Sequence, residues 1–227
     1  MEDPAYDDKG DGDYTYPTAS RYEPGMFDLT GFRVLKEKGR VYFELGYRHL
    51  VEWEGSSEWG FGGTFSRIAI DCGKHGGRDF GRDAHATVSG NCDYLINVSD
   101  YGVEVWSGGR VAGLLKRNPH HKNLGDPKSE SITFSIPSSV IEEPQKSWRY
   151  TVAVGGSCEG GKRLRDAVGG FLKVGRSASE ETGGGGLDTD SNPNIYDVLL
   201  PPGKDQKRIL SNYDPKTGRL VALPMVG

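Results

Sequence analysis

Short runs of alternating apolar and polar residues recur along the whole chain. In the run 40–46, Val41, Phe43 and Leu45 alternate with more polar residues. Because successive side chains of a strand point to opposite faces of a sheet, this spacing predicts strands with one face in a core. The same reasoning predicts strands at 32–36, 64–71, 85–89, 93–98, 102–106, 111–115, 131–137 and 148–155.

Many short strands separated by turn residues are typical of a β-sandwich. The 34 glycines and 12 prolines are spread along the 227 residues and favour frequent turns. Helix signals are limited to single turns at 137–143 and 204–210. We therefore predict an all-β protein, an antiparallel two-sheet β-sandwich with few short helices, formed by one domain over residues 1–227. The predicted inward residues are Phe32, Val34, Val41, Phe43, Leu45, Ile68, Ile70, Ile132, Phe134, Ile136, Val152 and Val154.

The start of the chain is rich in aspartate. Five carboxylates fall within eleven residues, at Asp3, Asp7, Asp8, Asp11 and Asp13. Carboxylates this close repel one another unless positive charge neutralises them. Calcium is bound by oxygen ligands of this kind, so we predict an ordered loop in which these five residues hold calcium. The alternative is a loop neutralised by Arg or Lys side chains or by backbone N–H groups.

A group of aromatic residues surrounds a polar, loop-like segment. Trp53 and Trp59 flank residues 54–58, with Tyr47 before them and Phe61 after them. Exposed rings can stack on the apolar faces of sugars while neighbouring polar groups bond the hydroxyls. We therefore predict a carbohydrate-binding site at these four residues. The alternative is that the tryptophans are core side chains that close one end of the sandwich.

Charge and motifs argue against several classes of protein. The net charge of −4 gives no general surface for polyanions, so nucleic acid is not expected as a partner. No apolar run reaches the length of a membrane-spanning segment. The patterns of serine hydrolases, zinc proteases and nucleotide-binding loops are missing from the sequence. The protein is therefore predicted not to be an enzyme.

Several blocks along the chain carry a family resemblance. They include the Asp-rich start with 14–18 (Tyr-Thr-Tyr-Pro-Thr), the glycines at 183–186, and the segments 194–201 and 210–214. Together these blocks resemble the C-terminal module of glucodextranase, which has relatives in pullulanases and surface-layer-associated proteins.

The resemblance implies a sandwich similar to family-9 carbohydrate-binding modules, without catalytic activity, located outside the cell or at its surface. The implied partner is a polysaccharide, either an α-glucan or a cell-wall glycan. Two alternatives stay open. One is a structural surface-layer-associated protein without a sugar ligand, and the other, least favoured, is a glycoside hydrolase.

Overall fold

The computed structural model describes residues 1–53, 59–115, 124–158 and 168–227. Within them the helical elements are a 3₁₀ turn, Arg82–Ala84, and the short helix α1, Gln206–Leu210. The strands are β1 (Leu29–Glu37), β2 (Arg40–Tyr47), β3 (Thr64–Asp71), β4 (Gly77–Asp79), β5 (Ala86–Cys92), β6 (Tyr94–Ser99), β7 (Gly102–Ser107), β8 (Arg110–Leu115), β9 (Gly125–Asp126), β10 (Ser131–Pro137), β11 (Arg149–Cys158), β12 (Gly170–Phe171), β13 (Asp197–Val198) and β14 (Val221–Leu223).

The strands form three sheets. The first has the order β1-β2-β10-β9, and the second has the order β12-β11-β3-β6-β7-β8 with β13 also paired to β11. A small third sheet has the order β14-β5-β4. The named strands pair antiparallel, apart from β14, which runs parallel to β5. The prediction of an antiparallel β-sandwich with little helix is confirmed, and the structure adds the third sheet.

The main core lies between the first sheet and one face of the second. Phe43 of β2 stacks on Phe134 of β10 with ring centroids 5.1 Å apart, and Phe32 of β1 meets Tyr150 of β11 at 5.4 Å. The predicted inward residues are all buried in this core except Val34, which is partly exposed but packs against it. The alternation of apolar and polar residues therefore predicted which of these side chains form the main core.

A second core covers the other face of the second sheet. Every residue of β3 is buried, because Ile68 and Ile70 face the main core while Phe65 and Ala69 face the second one. The third sheet supplies part of this second cover through residues such as Val88. A strand buried on both faces has no solvent-facing side, and here even the polar residues Arg67 and Asp71 are buried.

Three of the four glycines at 183–186, Gly183, Gly184 and Gly185, pack against the start of the chain. Gly184 exchanges two backbone hydrogen bonds with Thr15, each 3.0 Å long. A Cβ on Gly185, whose φ is +91°, would lie 2.1 Å from the carbonyl oxygen of Asp13. A Cβ on Gly183 would lie 1.8 Å from the Tyr196 hydroxyl. These glycines therefore permit a close backbone contact that holds the acidic start in place.

We expect Gly185→Ala to lower the Tm by at least about 4 °C, because the new methyl overlaps backbone at a left-handed φ and costs about 2 kcal/mol or more. Gly218→Ala is the matched control, since Gly218 also has a positive φ, +71°, but no described neighbour within 4 Å of a new Cβ. Thermal denaturation of both variants separates the cost of the dihedral angle from the cost of the contact. Equal losses of Tm in the two variants would contradict the contact.

Candidate functional site

The five predicted calcium ligands do not stay together. Asp13 is exposed, with the Lys207 ammonium 4.0 Å from its carboxylate. Asp11 accepts a hydrogen bond from the Tyr213 hydroxyl at 3.2 Å. Asp13 therefore has a lysine partner of the kind that the alternative without metal supposes, whereas Asp11 has only a neutral hydroxyl as its side-chain partner and keeps an unpartnered Oδ1.

Asp8 is buried and also has protein partners. It accepts a hydrogen bond from the Tyr16 hydroxyl, and the Arg48 guanidinium lies 3.7 Å from its Oδ2. The same guanidinium donates from Nε to Asp28 Oδ2 over 2.5 Å. Arg48 thus neutralises two carboxylates, only one of which belongs to the predicted set.

Asp3 and Asp7 instead meet an aspartate from the far end of the sequence. One carboxylate oxygen from each of Asp3, Asp7 and Asp197 lies within 4.8 Å of the corresponding oxygens of the other two. We call these three residues the carboxylate cluster. In the described part of the chain, four buried carboxylate oxygens have no hydrogen-bond partner: Asp3 Oδ2, Asp7 Oδ1, Asp28 Oδ1 and, outside the cluster, Asp11 Oδ1.

Backbone hydrogen bonds fix the positions of these side chains. Asp197, at the start of β13, accepts from Leu29 N at 2.6 Å and from Val198 N at 2.7 Å. Asp3 accepts from Leu200 N at 3.0 Å. Near the start of the chain, Tyr6 N donates a hydrogen bond of 2.7 Å to the Asp28 carboxylate. The start of β1 and β13 therefore form a common frame for the cluster.

Helix α1 supports the same region. The Gln206 side-chain amide donates to the carbonyl oxygen of Asp7 and, over 3.1 Å, to that of Tyr196. Gly10 N donates to the same Tyr196 carbonyl at 2.8 Å. The backbone around Asp7 is therefore bonded to the segment that carries Asp197.

Burial and mutual repulsion make the charged form of the carboxylates in the cluster unfavourable. Burial raises the pKa of Asp3 from 3.8 to about 7, and repulsion by Asp7 and Asp28 adds to the shift. Burial and the Asp28 carboxylate likewise raise the pKa of Asp7 to about 6. Burial and the carboxylates of Asp3 and Asp7 raise the pKa of Asp197 well above its ordinary value. At neutral pH these groups therefore favour either bound protons or a bound cation.

The sequence pattern could have indicated Asp197 but not its partners. It is the lone acidic residue in the apolar run 195–200, and it is completely buried. A buried carboxylate in such a run needs a specific partner. Its approach to Asp3 depends on tertiary structure, because the two residues lie at opposite ends of the chain.

Three of the four predicted sugar-binding rings lie in the core. Tyr47, Trp59 and Phe61 are 3%, 6% and 0% exposed, and the Tyr47 hydroxyl is 2.5 Å from Ser66 Oγ. Their burial leaves no ring face for a ligand, and Trp59 is a core side chain as the alternative interpretation supposed for the tryptophans. Residues 54–58, between the two tryptophans, lie outside the described residues.

Trp53 keeps a partly exposed ring. Its edge packs on Gly63, where an added Cβ would lie 2.1 Å from Trp53 Cζ2. Its Nε1 donates to the carbonyl oxygen of Arg21 over 3.1 Å. Tyr22 packs edge to face against it, with centroids 5.4 Å apart and an interplanar angle of 89°. The indole is therefore held in one orientation.

Charged groups adjoin this ring. The Arg21 guanidinium lies 5.0 Å from the Trp53 ring centroid and 5.4 Å from that of Tyr22. Glu181 forms an ion pair with Arg21 and accepts from the Tyr22 hydroxyl at 3.0 Å. We call Arg21, Tyr22, Trp53 and Glu181 the Trp53 patch. Its members come from three distant parts of the sequence, so the sequence pattern indicated only Trp53.

Within the described residues no helix is both long and apolar enough to cross a membrane. No curated protein matches the chain. Residues 1–226 match a family described as the C-terminal binding module, SLH-like, of glucodextranase. Because the match covers all but the last residue, the chain belongs to the family of C-terminal, SLH-like binding modules of glucodextranase.

Proposed function

We propose that this protein is a non-catalytic module that binds polysaccharide, an α-glucan or a cell-wall glycan, outside the cell or at its surface. The observation that supports this most directly is the family match over residues 1–226, since the family is a binding module. The SLH-like character of the family supports attachment at a cell surface. The module would thereby keep an attached enzyme or envelope component close to the glycan.

The Trp53 patch is the surface that we assign to the sugar. A partly exposed indole, already fixed by Gly63 and Tyr22, offers an apolar face without ordering a mobile side chain on binding. Arg21 and Glu181 are exposed beside it and can donate to and accept from sugar hydroxyls. A ring flanked by both kinds of hydrogen-bonding group matches the mixed character of a sugar ring.

Trp53→Ala should weaken retention on the bound polysaccharide at least about tenfold, as loss of a central aromatic contact does at other binding surfaces. Trp53→Phe should keep part of the retention, because it keeps a ring. Affinity electrophoresis in gels containing α-glucan, and pull-down on cell-wall preparations, measure both effects. Tyr42→Ala, which removes a partly exposed ring from β2, is the control and should bind like the original protein.

Other outcomes decide between the alternatives. Unchanged retention of a folded Trp53→Ala variant would place the sugar site elsewhere. If the original protein is retained on no glucan or cell-wall preparation, a structural surface-layer role without a sugar ligand is the better explanation. Release of reducing ends from the same polysaccharides would instead support a glycoside hydrolase.

A further inference from the structure

We propose that Asp3, Asp7 and Asp197, with Asp28 beside them, bind a calcium ion that joins the start of the chain to the second sheet. This site is separate from the Trp53 patch, and it does not depend on the proposed function. It retains two of the five aspartates expected from the sequence, Asp3 and Asp7. It replaces Asp8, Asp11 and Asp13 by residues that the fold brings to the same place.

The first argument is the unsatisfied hydrogen-bonding capacity of the cluster. Asp3 is only 9% exposed, and its Oδ2 has no hydrogen-bond partner in the described structure. Asp7 Oδ1 is in the same state, and one oxygen of each residue lies within 4.8 Å of one oxygen of Asp197. Burying a carboxylate oxygen without a partner is costly. A metal ion among these oxygens would remove that cost.

The second argument is the balance of charge. Among the described residues, no Lys, Arg or His side chain forms an ion pair with Asp3, Asp7 or Asp197. Arg48, which pairs with Asp28 beside the cluster, is shared with Asp8. The fold therefore gathers more negative charge here than its own cations neutralise. A divalent ion supplies the missing charge at the centre of the cluster.

The chemistry of the donors selects the ion. The group consists of aspartates alone, whereas zinc sites in proteins typically include His or Cys ligands even where a carboxylate also binds. Calcium accepts six to eight oxygen ligands in flexible geometry, including backbone carbonyls. Magnesium is smaller and loses its water reluctantly, so it suits a cluster buried in protein less well. Asp28 and Asp197 are completely buried, so their carboxylates are not exposed to a polysaccharide.

The placement of the cluster indicates what the ion does. Asp3 and Asp7 belong to the acidic start, Asp28 directly precedes β1, and Asp197 begins β13 on the edge of β11. One ion at this point would connect three segments that are far apart in sequence. The start of the chain, which has few apolar residues of its own, would then be held by the metal as well as by the glycine contact.

The test is thermal denaturation of the full 227-residue chain after removal of metal with a chelator, with and without added calcium. At free calcium about a hundredfold above the Kd, the Tm should rise by about 5–10 °C. Isothermal titration with calcium chloride should give a single site per chain. An equal or larger rise with magnesium chloride would overturn the assignment to calcium.

Asp3→Asn is the decisive variant, because its remaining carbonyl oxygen can still accept from Leu200 N. Its new amide would take the position of the unpartnered oxygen, where it can donate to Asp7 or Asp197. Without metal, this variant should melt above the original protein, and the response to calcium should be lost. Asp13→Asn, at a side chain that is 78% exposed, is the matched control and should respond like the original protein.

The proposal fails if the original protein binds no calcium in the titration and melts at the same temperature with and without it. It also fails if Asp3→Asn keeps the full calcium response. Neither result bears on the Trp53 patch, and loss of sugar retention in Trp53→Ala does not bear on the ion. The two sites are therefore tested independently.

Discussion

Replacing Arg67 by alanine should lower the Tm by about 6–12 °C, the largest loss that we expect from a single side chain. The change removes a buried charge partner, which costs about 3 kcal/mol at the lower end of the range for such pairs. The lower end applies because the Asp83 side chain is 34% exposed, which screens its charge. Arg67 itself is 4% exposed and lies on β3.

The contacts of Arg67 explain this expectation. Its guanidinium forms two hydrogen bonds to the Asp83 carboxylate, of 2.7 and 3.1 Å. It also donates to Asn97 Oδ1 at 2.7 Å and to the carbonyl oxygen of Phe80 at 2.9 Å. Alanine would remove all four of these hydrogen bonds and leave Asp83 Oδ2 with only the one that it accepts from Phe171 N at 2.8 Å. The ammonium group of lysine cannot reproduce the planar set of N–H donors of a guanidinium. Arg67→Lys should therefore lose less Tm than Arg67→Ala but more than none.

The control is an arginine of the same type on the surface. Arg33, whose side chain is 64% exposed, lies 3.6 Å from Glu44, and Arg33→Ala should change stability by less than about 1 kcal/mol. A second check is pH. The Arg67 guanidinium lowers the pKa of Asp83 below 3.8, so the contribution of the pair is complete above that pH and is lost as the pH falls through the lowered pKa. Similar melts for Arg67→Ala and Arg33→Ala would contradict the argument.

Much of the fold could be predicted from local sequence. Strands β2, β3 and β10 lie almost where alternation placed them, because one face of each strand packs in the main core. The third sheet could not be predicted. Its strands β4 and β14 have three residues each, too few to show a period, and β14 pairs with β5 across a long sequence separation.

The sites were harder to predict for a physical reason. An aromatic residue in a Gly-rich segment can lie in a core or on a surface, and only tertiary packing decides between them. Phe61 is completely buried, whereas Trp53 stays partly exposed. Tertiary packing likewise decides which carboxylates come together. Asp13 and Asp3 look equivalent in the sequence, but only Asp3 is carried to Asp197 by its bond to Leu200.

The raised pKa values of the carboxylate cluster lead to a further expected result, a metal-free protein that becomes less stable as the pH rises. In the folded state the pKa of Asp3 is about 7 and that of Asp7 is about 6, against about 3.8 in the unfolded chain. The folded protein therefore holds more protons than the unfolded chain between these values. Stability must then fall with rising pH through this window and level off above it.

The measurement is the Tm in chelator between about pH 4.5 and about pH 7.5, where we expect a fall of roughly 5–15 °C. Saturating calcium should remove most of this fall, because the ion replaces the protons on the deprotonated carboxylates. Asp3→Asn should flatten the metal-free profile, since it removes the group with the higher of the two pKa values. Comparing the pH profiles of the original protein and of Asp3→Asn separates the effect of the cluster from that of other groups that titrate in the same range. A metal-free Tm that rises over this interval, or a profile that Asp3→Asn leaves unchanged, would show that the carboxylates do not share a repulsive site.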